Sequence, residues 1–581
     1  MAEVRIYEKF YVNKSSGTYS ETLEAFGLAN LIDKILDKNN VKRKSVLIKE
    51  SRDGRYLVQP NSPISEEMIN NLKYFQVIKF IKKEPTTKLP DGIGVEFFDY
   101  PEQKKIYERY KAERNEAHSL LGERKKNVLN EIKEKFSSEF GKAMVPEFDV
   151  IREIKRNPYA AFNKIYQNFY QNRNQSNFRQ LIIEILAHYS KNLSANGKLK
   201  LTKKITSQQL YSPHQGKGLN KFKANNISMS NLHVDWIPEA MKVSGALNVM
   251  VCQYVKAGSG YDLKIYVPDF NEISFAKTQA LMFQFRKNLN VSSPLKLDIL
   301  NLLSLIKHFI LNSEEYKDKV KDTIKGLHSV YQKDLGQNKA IANISFLEVP
   351  GFIEYDNKTD AQNWIEFINY QQSLISGIEE RGDAIQGLQA YRNFISGGNI
   401  QQFFNFSRWY SIYLMQSLVQ ERNWVKPFTY NILNQIFNTM ENKLQEIIKN
   451  EGFQAVAKAI RYSTVKIQYN KKYWSDQLGF QPFYGLAQQL GNKSRSSEDL
   501  VVFIGEFIGK YNSETARTTE IFRKNNPKAI PPRANVRQED LNNFYQLFDN
   551  NSARLIGSLL SSFGFALPSE EGAVDKEGEK N

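Results

Sequence analysis

The residues best suited to chemistry lie in one stretch, 212–226, which reads SPHQGKGLNKFKANN. Lysines neutralise phosphates, amide side chains both donate and accept hydrogen bonds at base edges, and glycines let the backbone approach a phosphate chain closely. The spacing is not the GxxxxGK[ST] of a triphosphate-binding loop. The stretch therefore favours nucleic-acid contact, with a solvated lysine loop as the alternative. The candidate side chains are Gln215, Lys217, Asn220, Lys221, Lys223, Asn225 and Asn226.

Two stretches in the second half of the chain are also basic. Arg461–Trp474 holds four basic residues, Ile521–Arg537 holds five, and neither contains an acid. Basic residues interleaved with aromatic ones are typical of a groove for single-stranded nucleic acid, where charge follows the backbone and rings stack on bases. A solvent-facing helix over an aromatic core shows the same pattern, so both interpretations stay open.

Motifs of catalysis are missing from the sequence. There is no HExxH, paired CxxC, GxSxG or DxDxDG motif, and the six histidines are scattered. With a single cysteine, Cys252, thiolate metal clusters are excluded. We therefore predict a protein that is not an enzyme and has no catalytic residues, metal or cofactor. A dispersed carboxylate site, such as that of a nuclease, stays open because 63 acidic residues offer many pairs.

The net charge of +17 is concentrated in one region, 154–234. Thirteen of its residues are Lys or Arg and one, Glu184, is acidic, so this region carries +12 of the total. A like-charged surface of this density repels itself unless a polyanion occupies it. We therefore expect nucleic acid to bind there.

The elements that must position these residues form two portions. Residues 1–350 mix helix and strand patterns, whereas in 360–568 apolar residues recur three and four apart, as in a helical bundle. We predict an α+β fold, with a mixed α/β N-terminal portion containing the basic region and a C-terminal helical bundle. The acidic tail 569–581 has no large hydrophobe beyond Val574, so we expect it to be disordered.

Several elements of the N-terminal portion can be predicted individually. A helix is expected at Tyr19–Leu36, a helical stretch at 101–136, and a further helix after Asn157-Pro158, whose aromatic stripe is more typical of a core than of a base-stacking surface. Residues 191–232 show no sustained period and predict loops or a short hairpin. The expected strands are Ser45–Ile48, Tyr56–Gln59, Val95–Phe98, a hairpin of Leu247–Val255 with Tyr261–Val267, and Ile344–Val349.

The compartment follows from what the chain lacks. No run approaches the roughly 20 apolar residues that cross a bilayer, the N-terminus has no secretory pattern, and one cysteine cannot form an intramolecular disulfide. We expect a cytoplasmic protein with no membrane partner.

The mixed α/β portion, the loop SPHQGKGLNKFKANN and a helical bundle with basic faces together resemble the large subunit of the type I CRISPR surveillance complex, Cascade, most of all its subtype I-B form. The resemblance covers nearly the whole chain and rests on architecture and charge distribution, because this family has no invariant catalytic motif. It implies an RNA-guided antiviral complex in which guide pairing reads the target while this subunit recognises a short flanking motif, the PAM, in duplex DNA. The subunit would start unwinding, help hold the displaced strand of the R-loop, and cut nothing itself.

The resemblance also implies partners and residue roles. The partners are double-stranded target DNA, guide RNA within a multi-subunit ribonucleoprotein, backbone and small subunits, and a recruited helicase-nuclease. The loop residues named above would contact the PAM, with Phe222 as a wedge between the strands. The DNA backbone would be held by Lys198, Lys200, Lys203 and Lys204. The displaced strand would follow Lys466, Lys471, Lys472, Arg523, Lys524 and Arg533.

In some subtypes the small subunits come from an internal start within the large-subunit gene. Here the last methionine, Met440, would begin a 142-residue fragment that is helical and basic before its acidic tail, so 440–568 resembles a small subunit. The alternative is an ordinary methionine in a helix.

Two other functions stay open. One is a nucleic-acid-processing enzyme with an unrecognised carboxylate site, and the other is an RNA-binding scaffold of a different ribonucleoprotein, which would prefer structured RNA. The charge distribution favours binding over catalysis but does not separate DNA from RNA.

Overall fold

The structure is a computed structural model that describes residues 6–41, 45–72, 74, 100–120, 122–139, 148–156, 158–190, 199–215, 222–223, 226–229, 232–258, 260–313, 319–336, 338–422, 424–438, 442–525 and 533–568. The chain divides into two compact units. The first holds the described residues up to Val291 together with 304–313 and 319–349, and the second holds Ser292–Leu303 and the residues from Pro350 onward. Sequence alone groups Ser292–Leu303 with the N-terminal portion.

The fold is α+β, as predicted, because the described strands all lie in the first unit and the second unit is helical. The helices before residue 350 are α1 (Ser20–Lys38), α2 (Tyr100–His118), α3 (Gly122–Glu139), α4 (Phe148–Arg156), α5 (Tyr159–Gln171), α6 (Gln175–Tyr189), α7 (Trp236–Val249), α8 (Phe275–Lys287), α9 (Pro294–Leu311) and α10 (Val320–Thr323). The strands are β1 (Ile6–Tyr7), β2 (Phe10–Asn13), β3 (Val46–Ser51), β4 (Arg55–Pro60), β5 (Ile64–Ser65), β6 (Lys204–Thr206), β7 (Phe222–Lys223), β8 (Asn226–Met229), β9 (His233–Asp235), β10 (Val251–Ala257), β11 (Gly260–Phe270), β12 (Glu272–Ser274), β13 (Ile324–Leu335) and β14 (Asn338–Glu348).

Two four-stranded antiparallel sheets carry the first unit. Their strand orders are β10-β11-β13-β14 and β12-β3-β4-β2, and short antiparallel pairs form between β1 and β5, β6 and β9, and β7 and β8. In the first sheet the inner strand β13 pairs on both sides, with Val330 opposite Ile265 of β11 and Ile344 of β14. The basic segment around β6 therefore lies outside both large sheets.

Helices α1 and α7 pack at very close range in the core of the first unit. A Cβ atom at Gly27 would lie 1.9 Å from the carbonyl oxygen of Met241, and one at Gly245 would lie 1.8 Å from that of Leu23. Backbone meets backbone at both points, so these glycines set the distance between the helices. Asp235 is the N-cap of α7, and its side chain accepts a hydrogen bond of 3.1 Å from the Ile237 amide.

Most of the individually predicted elements of the first unit are present. Helix α1 and strands β3 and β4 lie where they were predicted, and the stretch 101–136 forms the pair α2 and α3. The hairpin of β10 and β11 is also present, with Val251 opposite Tyr266. The prediction was wrong for Leu247–Val249, because these residues end helix α7. Strand β13 was not predicted, and Val95–Phe98 lies outside the described residues.

The second unit is a helical bundle, and the helix Ile400–Val419 (α13) buries many of its side chains there. Phe403 of α13 packs against Phe394, Phe428 and Phe437 with ring centroids 5.0 to 5.7 Å apart. No helix in the described part of the chain is long and apolar enough to cross a bilayer. Met440 and the tail 569–581 lie outside the described residues. The helices are α11 (Lys358–Ser376), α12 (Ala384–Ile395), α13 (Ile400–Val419), α14 (Tyr430–Asn438), α15 (Asn442–Lys449), α16 (Glu451–Tyr462), α17 (Val465–Tyr469), α18 (Leu486–Lys493), α19 (Ser497–Asn525), α20 (Gln538–Tyr545) and α21 (Ala553–Phe563), with a π-helical turn at Lys472–Gln477.

Candidate nucleic-acid interface

A basic segment, 199–204, is bound by two buried asparagines, one in helix α5 and one directly after its last residue. Asn168 donates from Nδ2 to the carbonyl oxygen of Thr202 (3.2 Å) and accepts from the Thr202 amide at Oδ1 (2.8 Å). Asn172, one turn later, donates to the carbonyl oxygen of Lys200 (3.2 Å). Their exposed fractions are 0% and 2%, so the segment covers both side chains. Neutral groups therefore hold a segment whose charges can face outward.

The lysines of this segment point away from the core. Lys200, Lys203 and Lys204 are all exposed. Burial raises the pKa of the Glu184 carboxyl, and the nearby Lys203 opposes that shift. The segment then enters β6, where Lys204 lies opposite Asp235, and the Trp236 amide donates to the Lys203 carbonyl oxygen at 3.0 Å. Both ends of the lysine run are thus tied to helices of the core.

The chain that leads into the glycine-rich loop is anchored by buried hydroxyl and amine groups. Tyr19 donates to the carbonyl oxygen of Leu210 (2.9 Å), Ser20 donates to that of Tyr211 (2.9 Å), and the Lys242 ammonium donates to Ser212 Oγ (3.0 Å). These contacts come from α1 and α7, the pair whose spacing is set by glycine. The base of the loop is therefore tied to the closely packed pair α1 and α7.

Acidic and basic groups meet beneath this base. Burial raises the pKa of Glu24 from its ordinary value of 4.5 to about 7, although Lys242 opposes the shift. Burial alone would lower the pKa of Lys242, but Glu239, whose carboxylate lies 2.8 Å away, and Glu24 raise it above its ordinary value. The ammonium stays charged and continues to hold Ser212. Burial lowers the pKa of His214, which lies 3.3 Å from the Thr18 hydroxyl.

Only part of the predicted loop falls within the described residues. Gln215 is half-buried, and its amide oxygen accepts a hydrogen bond from Ser207, so part of its hydrogen-bonding capacity is used inside the protein. Residues 222–223 and 226–229 form the short hairpin β7–β8, which places Phe222, Lys223 and Asn226 on paired strands. The candidates outside the described residues are Lys198, Lys217, Asn220, Lys221 and Asn225.

The basic candidates of the bundle fall into two groups. Lys471 and Lys472 are exposed at the π-helical turn, and Lys466 nearby lies with its Nζ 5.8 Å from the ring centre of Trp474. Arg523 and Lys524 are exposed in the last turn of α19, where Lys524 forms an ion pair of 3.3 Å with Glu520 one turn earlier. These five side chains reach the surface of the second unit.

Arg533 does not reach the surface, and the structure corrects its proposed role. Its side chain is buried and donates to Glu514 Oε2 (2.5 Å) and Thr515 Oγ1 (2.7 Å), and also to the carbonyl oxygens of Tyr462 and Tyr511. The guanidinium carbon lies 4.0 Å from the ring centre of Phe480. A buried guanidinium with this many internal partners fastens three segments together, so it is not available to a displaced strand.

Two open depressions lie beside helix α19. One of about 730 Å³ is lined by Arg523 and Lys524 together with the 533–535 segment. The other, of about 550 Å³, is lined by Lys510 and Arg517 and by the backbone turn at 481–483. Helix α19 therefore contributes both cations and acids to these depressions, since Glu520 lines the first and Glu514 the second. Two of the cations, Lys510 and Arg517, were not singled out by sequence analysis.

Comparison of the sequence with models of known protein families finds no match, and comparison with curated proteins finds none either. Among the described residues, no three or more His, Cys, Asp or Glu side chains are grouped so that they could hold a metal ion. Any assignment of function therefore depends on the site and on the sequence pattern.

Sequence reasoning missed the asparagines that hold the basic segment. Asn168 and Asn172 sit one turn apart on the face of α5 that also carries Ile165, an inward position where polar residues are rare. Two amides at successive inward positions of an amphipathic helix are the signal that could have found them, because buried amides need backbone or side-chain partners.

Proposed function

We propose that this protein is the non-catalytic large subunit of a CRISPR RNA-guided DNA-targeting complex. It recognises the PAM duplex, starts unwinding of the target and helps hold the displaced strand for a recruited helicase-nuclease. Its partners are duplex target DNA, guide RNA within the ribonucleoprotein, and backbone and small subunits, and it acts in the cytoplasm without a membrane. The resemblance of its loop, charge distribution and α+β architecture to that family is the origin of the proposal.

One observation of the structure carries the DNA-binding part. Lys200, Lys203 and Lys204 are exposed on a segment whose backbone is held by Asn168 and Asn172. The fixed backbone limits how far these like charges can move apart. The repulsion between like charges that are held in place falls when phosphates lie against them. The DNA releases counterions at the same time, which favours binding. A segment of this kind is suited to positioning a duplex rather than reading its sequence.

The loop that follows supplies the groups for sequence recognition. In the proposal, Gln215, Asn220, Asn225 and Asn226 meet base edges, Lys217, Lys221 and Lys223 neutralise nearby phosphates, and Phe222 inserts between the strands. The base of this loop is held by Lys242 and the α1–α7 pair, which gives a wedge a firm support. Lys466, Lys471, Lys472, Arg523 and Lys524 hold the displaced strand.

The test separates positioning from recognition. Purified protein, alone and within its guide-RNA complex, is titrated with duplex targets carrying randomised flanking bases across a salt series. A Lys200, Lys203 and Lys204 triple alanine variant should bind all flanks more weakly, and its salt dependence should fall by roughly 0.9 in the log–log slope for each phosphate that it no longer neutralises. A Lys217, Asn220 and Lys221 triple alanine variant should lose the preference for particular flanks.

A matched control uses three exposed lysines of the same unit outside the segment, Lys256, Lys287 and Lys333, also changed to alanine. This control alters the net charge by the same amount and should leave the flank preference unchanged. Binding that ignores both the flanking bases and the loop variant would refute PAM recognition.

The two alternatives give different results in the same preparation. A nuclease with a dispersed carboxylate site would cleave DNA or RNA in a metal-dependent reaction without other subunits. An RNA scaffold of another ribonucleoprotein would prefer structured RNA and show no dependence on duplex flanks. Neither outcome is expected.

A further inference from the structure

Three tyrosines are exposed close to one another in the chain of the second unit. Tyr469 ends α17, Tyr473 lies in the π-helical turn that follows, and Tyr484 lies just before α18, with exposed fractions of 52%, 41% and 53%. The Gln468 side chain donates to the Tyr484 hydroxyl at 3.0 Å, which ties the third tyrosine to helix α17. We call Tyr469, Tyr473 and Tyr484 the tyrosine patch.

The turn beneath the patch has a small core of its own. Ile467, Trp474 and Phe480 are buried together. The ring of Tyr473 meets that of Trp474 edge to face at 5.5 Å, and the Tyr473 amide is capped by the Asn470 side chain. Tyr473 is therefore held from below, while all three tyrosines stay about half exposed.

The charge around the patch is positive. Lys471 and Lys472 are exposed between Tyr469 and Tyr473, and Lys466 lies over the Trp474 ring on the preceding helix. One acid of the same turn, Asp476, is also exposed. Exposed rings separated by lysines offer stacking surfaces for bases and positive charge for phosphates.

We propose that the tyrosine patch binds a single-stranded polynucleotide by stacking its bases on Tyr469 and Tyr473, with Lys471 and Lys472 against the phosphates. The proposal rests on the proposed function in taking that strand to be the displaced DNA strand. It assigns the binding to base stacking as well as to charge. The basic residues by themselves supply the charge but no stacking surface.

The deciding experiment compares a normal single strand with an abasic strand of the same length and charge. Full-length protein should bind the normal strand more tightly, because only that strand has bases to stack. Tyr469→Ala and Tyr473→Ala together should lower affinity for the normal strand by at least roughly 25-fold, since each stacked base contributes roughly 5-fold or more. Affinity for the abasic strand should stay unchanged.

Substitution of the lysines should change the salt dependence of binding and leave its dependence on bases unchanged. Lys471→Ala with Lys472→Ala should reduce the salt dependence of binding, by roughly 0.7 in slope for each phosphate of the single strand that the variant no longer neutralises. The ratio of normal to abasic affinity should remain as in the unchanged protein. The control is Tyr261→Ala, because this tyrosine is 60% exposed on β11 of the first unit. It should change neither quantity.

Two further variants protect the test against a folding artefact. Tyr469→Phe with Tyr473→Phe keeps both rings and should bind like the unchanged protein. Tyr469→Ala alone leaves the contact between Tyr473 and Trp474 intact and should still lose part of the base dependence. Equal binding of normal and abasic strands by the unchanged protein would overturn the proposal, since the tyrosines would then only cover the turn.

The outcomes also separate this inference from the proposed function. Strong preference for RNA over DNA of the same sequence would overturn the assignment to the displaced strand. Base-dependent binding of single-stranded DNA in a protein that ignores duplex flanks would refute PAM recognition and retain the patch. Flank recognition without base-dependent binding of the single strand would refute the patch alone.

Discussion

Changing Asn168 to alanine should release the basic segment without unfolding the first unit. The side chain is fully buried, and both of its polar atoms bind the backbone of Thr202. Helix α5 itself stays packed through Phe162 and Phe169, which are buried on the same helix. The loss should therefore fall on residues 199–204 rather than on the helix.

The size of the effect follows from the two bonds removed. Each hydrogen bond contributes about 0.5–1.5 kcal/mol net, and a buried polar group left without a partner costs about 1–3 kcal/mol. We expect about 2–3 kcal/mol in the local opening of the segment. At 1.4 kcal/mol for each factor of ten, its amides should exchange with solvent roughly 30- to 150-fold faster.

Hydrogen exchange followed by mass spectrometry measures this opening, and a duplex titration across a salt series measures its consequence. The lysines remain in Asn168→Ala, so the slope of the salt dependence should stay the same. Affinity should fall by up to the same factor, because binding must first restore the order of the segment. Asn163→Ala is the matched control, since Asn163 lies half-buried on another face of α5. It should alter neither measurement.

Either of two results would refute this reasoning. Unchanged exchange in 199–204 would mean that Asn168 does not hold the segment. Faster exchange with unchanged affinity would mean that the order of the segment is irrelevant to binding, and its three lysines would then act only through their number.

Further substitutions test the packing and the buried charges. Gly245→Ala should cost more than about 3 kcal/mol in the free energy of unfolding because the added Cβ meets backbone at 1.8 Å, whereas Gly509→Ala, in open space on α19, should stabilise by about 0.5–1 kcal/mol in urea unfolding. Arg533→Met should cost about 3–5 kcal/mol, because it removes the four hydrogen bonds that the guanidinium donates, and thermal unfolding of the full chain would show it. Because the pKa of Glu24 is raised, the folded state keeps the Glu24 proton to a higher pH than the unfolded state does. The contribution of Glu24 to the free energy of unfolding, roughly 3 kcal/mol at most, is therefore full below pH 4.5 and is lost as the pH rises to about 7. Glu24→Gln should flatten this dependence and be more stable than the unchanged protein at pH 8, and a stability curve that rises between pH 4.5 and 7 through Glu24 would contradict the assignment.

The parts of the fold that the sequence predicted well are those with a strong local period. Helix α1 has apolar residues three and four apart along its whole length, and the pair β3 and β4 brackets an Asp53-Gly54 turn. Strand β13 was missed because Gly326, His328 and Lys333 interrupt its alternation. Its conformation is imposed by pairing with a strand on each side, and such pairing is not a local signal.

The candidate site divides in the same way. Exposed lysines on a polar, irregular stretch could be predicted from composition, because charge of one sign stays in water. The burial of Arg533 could not be predicted, because its partner Glu514 is 19 residues away on another element. The acid-free run around Arg533 also gives no sign of burial. The inward position of Asn168 could have been predicted, but its partner could not, because Thr202 lies 34 residues further along the chain.

The chemistry of the groups that hold the basic segment bears on its use. An aspartate at position 168 could accept from the Thr202 amide, but it could not donate to the Thr202 carbonyl oxygen, and its charge would cancel part of the lysine field. Asparagine supplies both hydrogen bonds and no charge. The buried lysine beneath the next loop shows the opposite arrangement, because Lys242 is compensated on the spot by Glu239. Charge is thus neutralised where the chain is anchored, and the groups that hold the exposed lysines add no charge of their own, as the proposed binding of a polyanion requires.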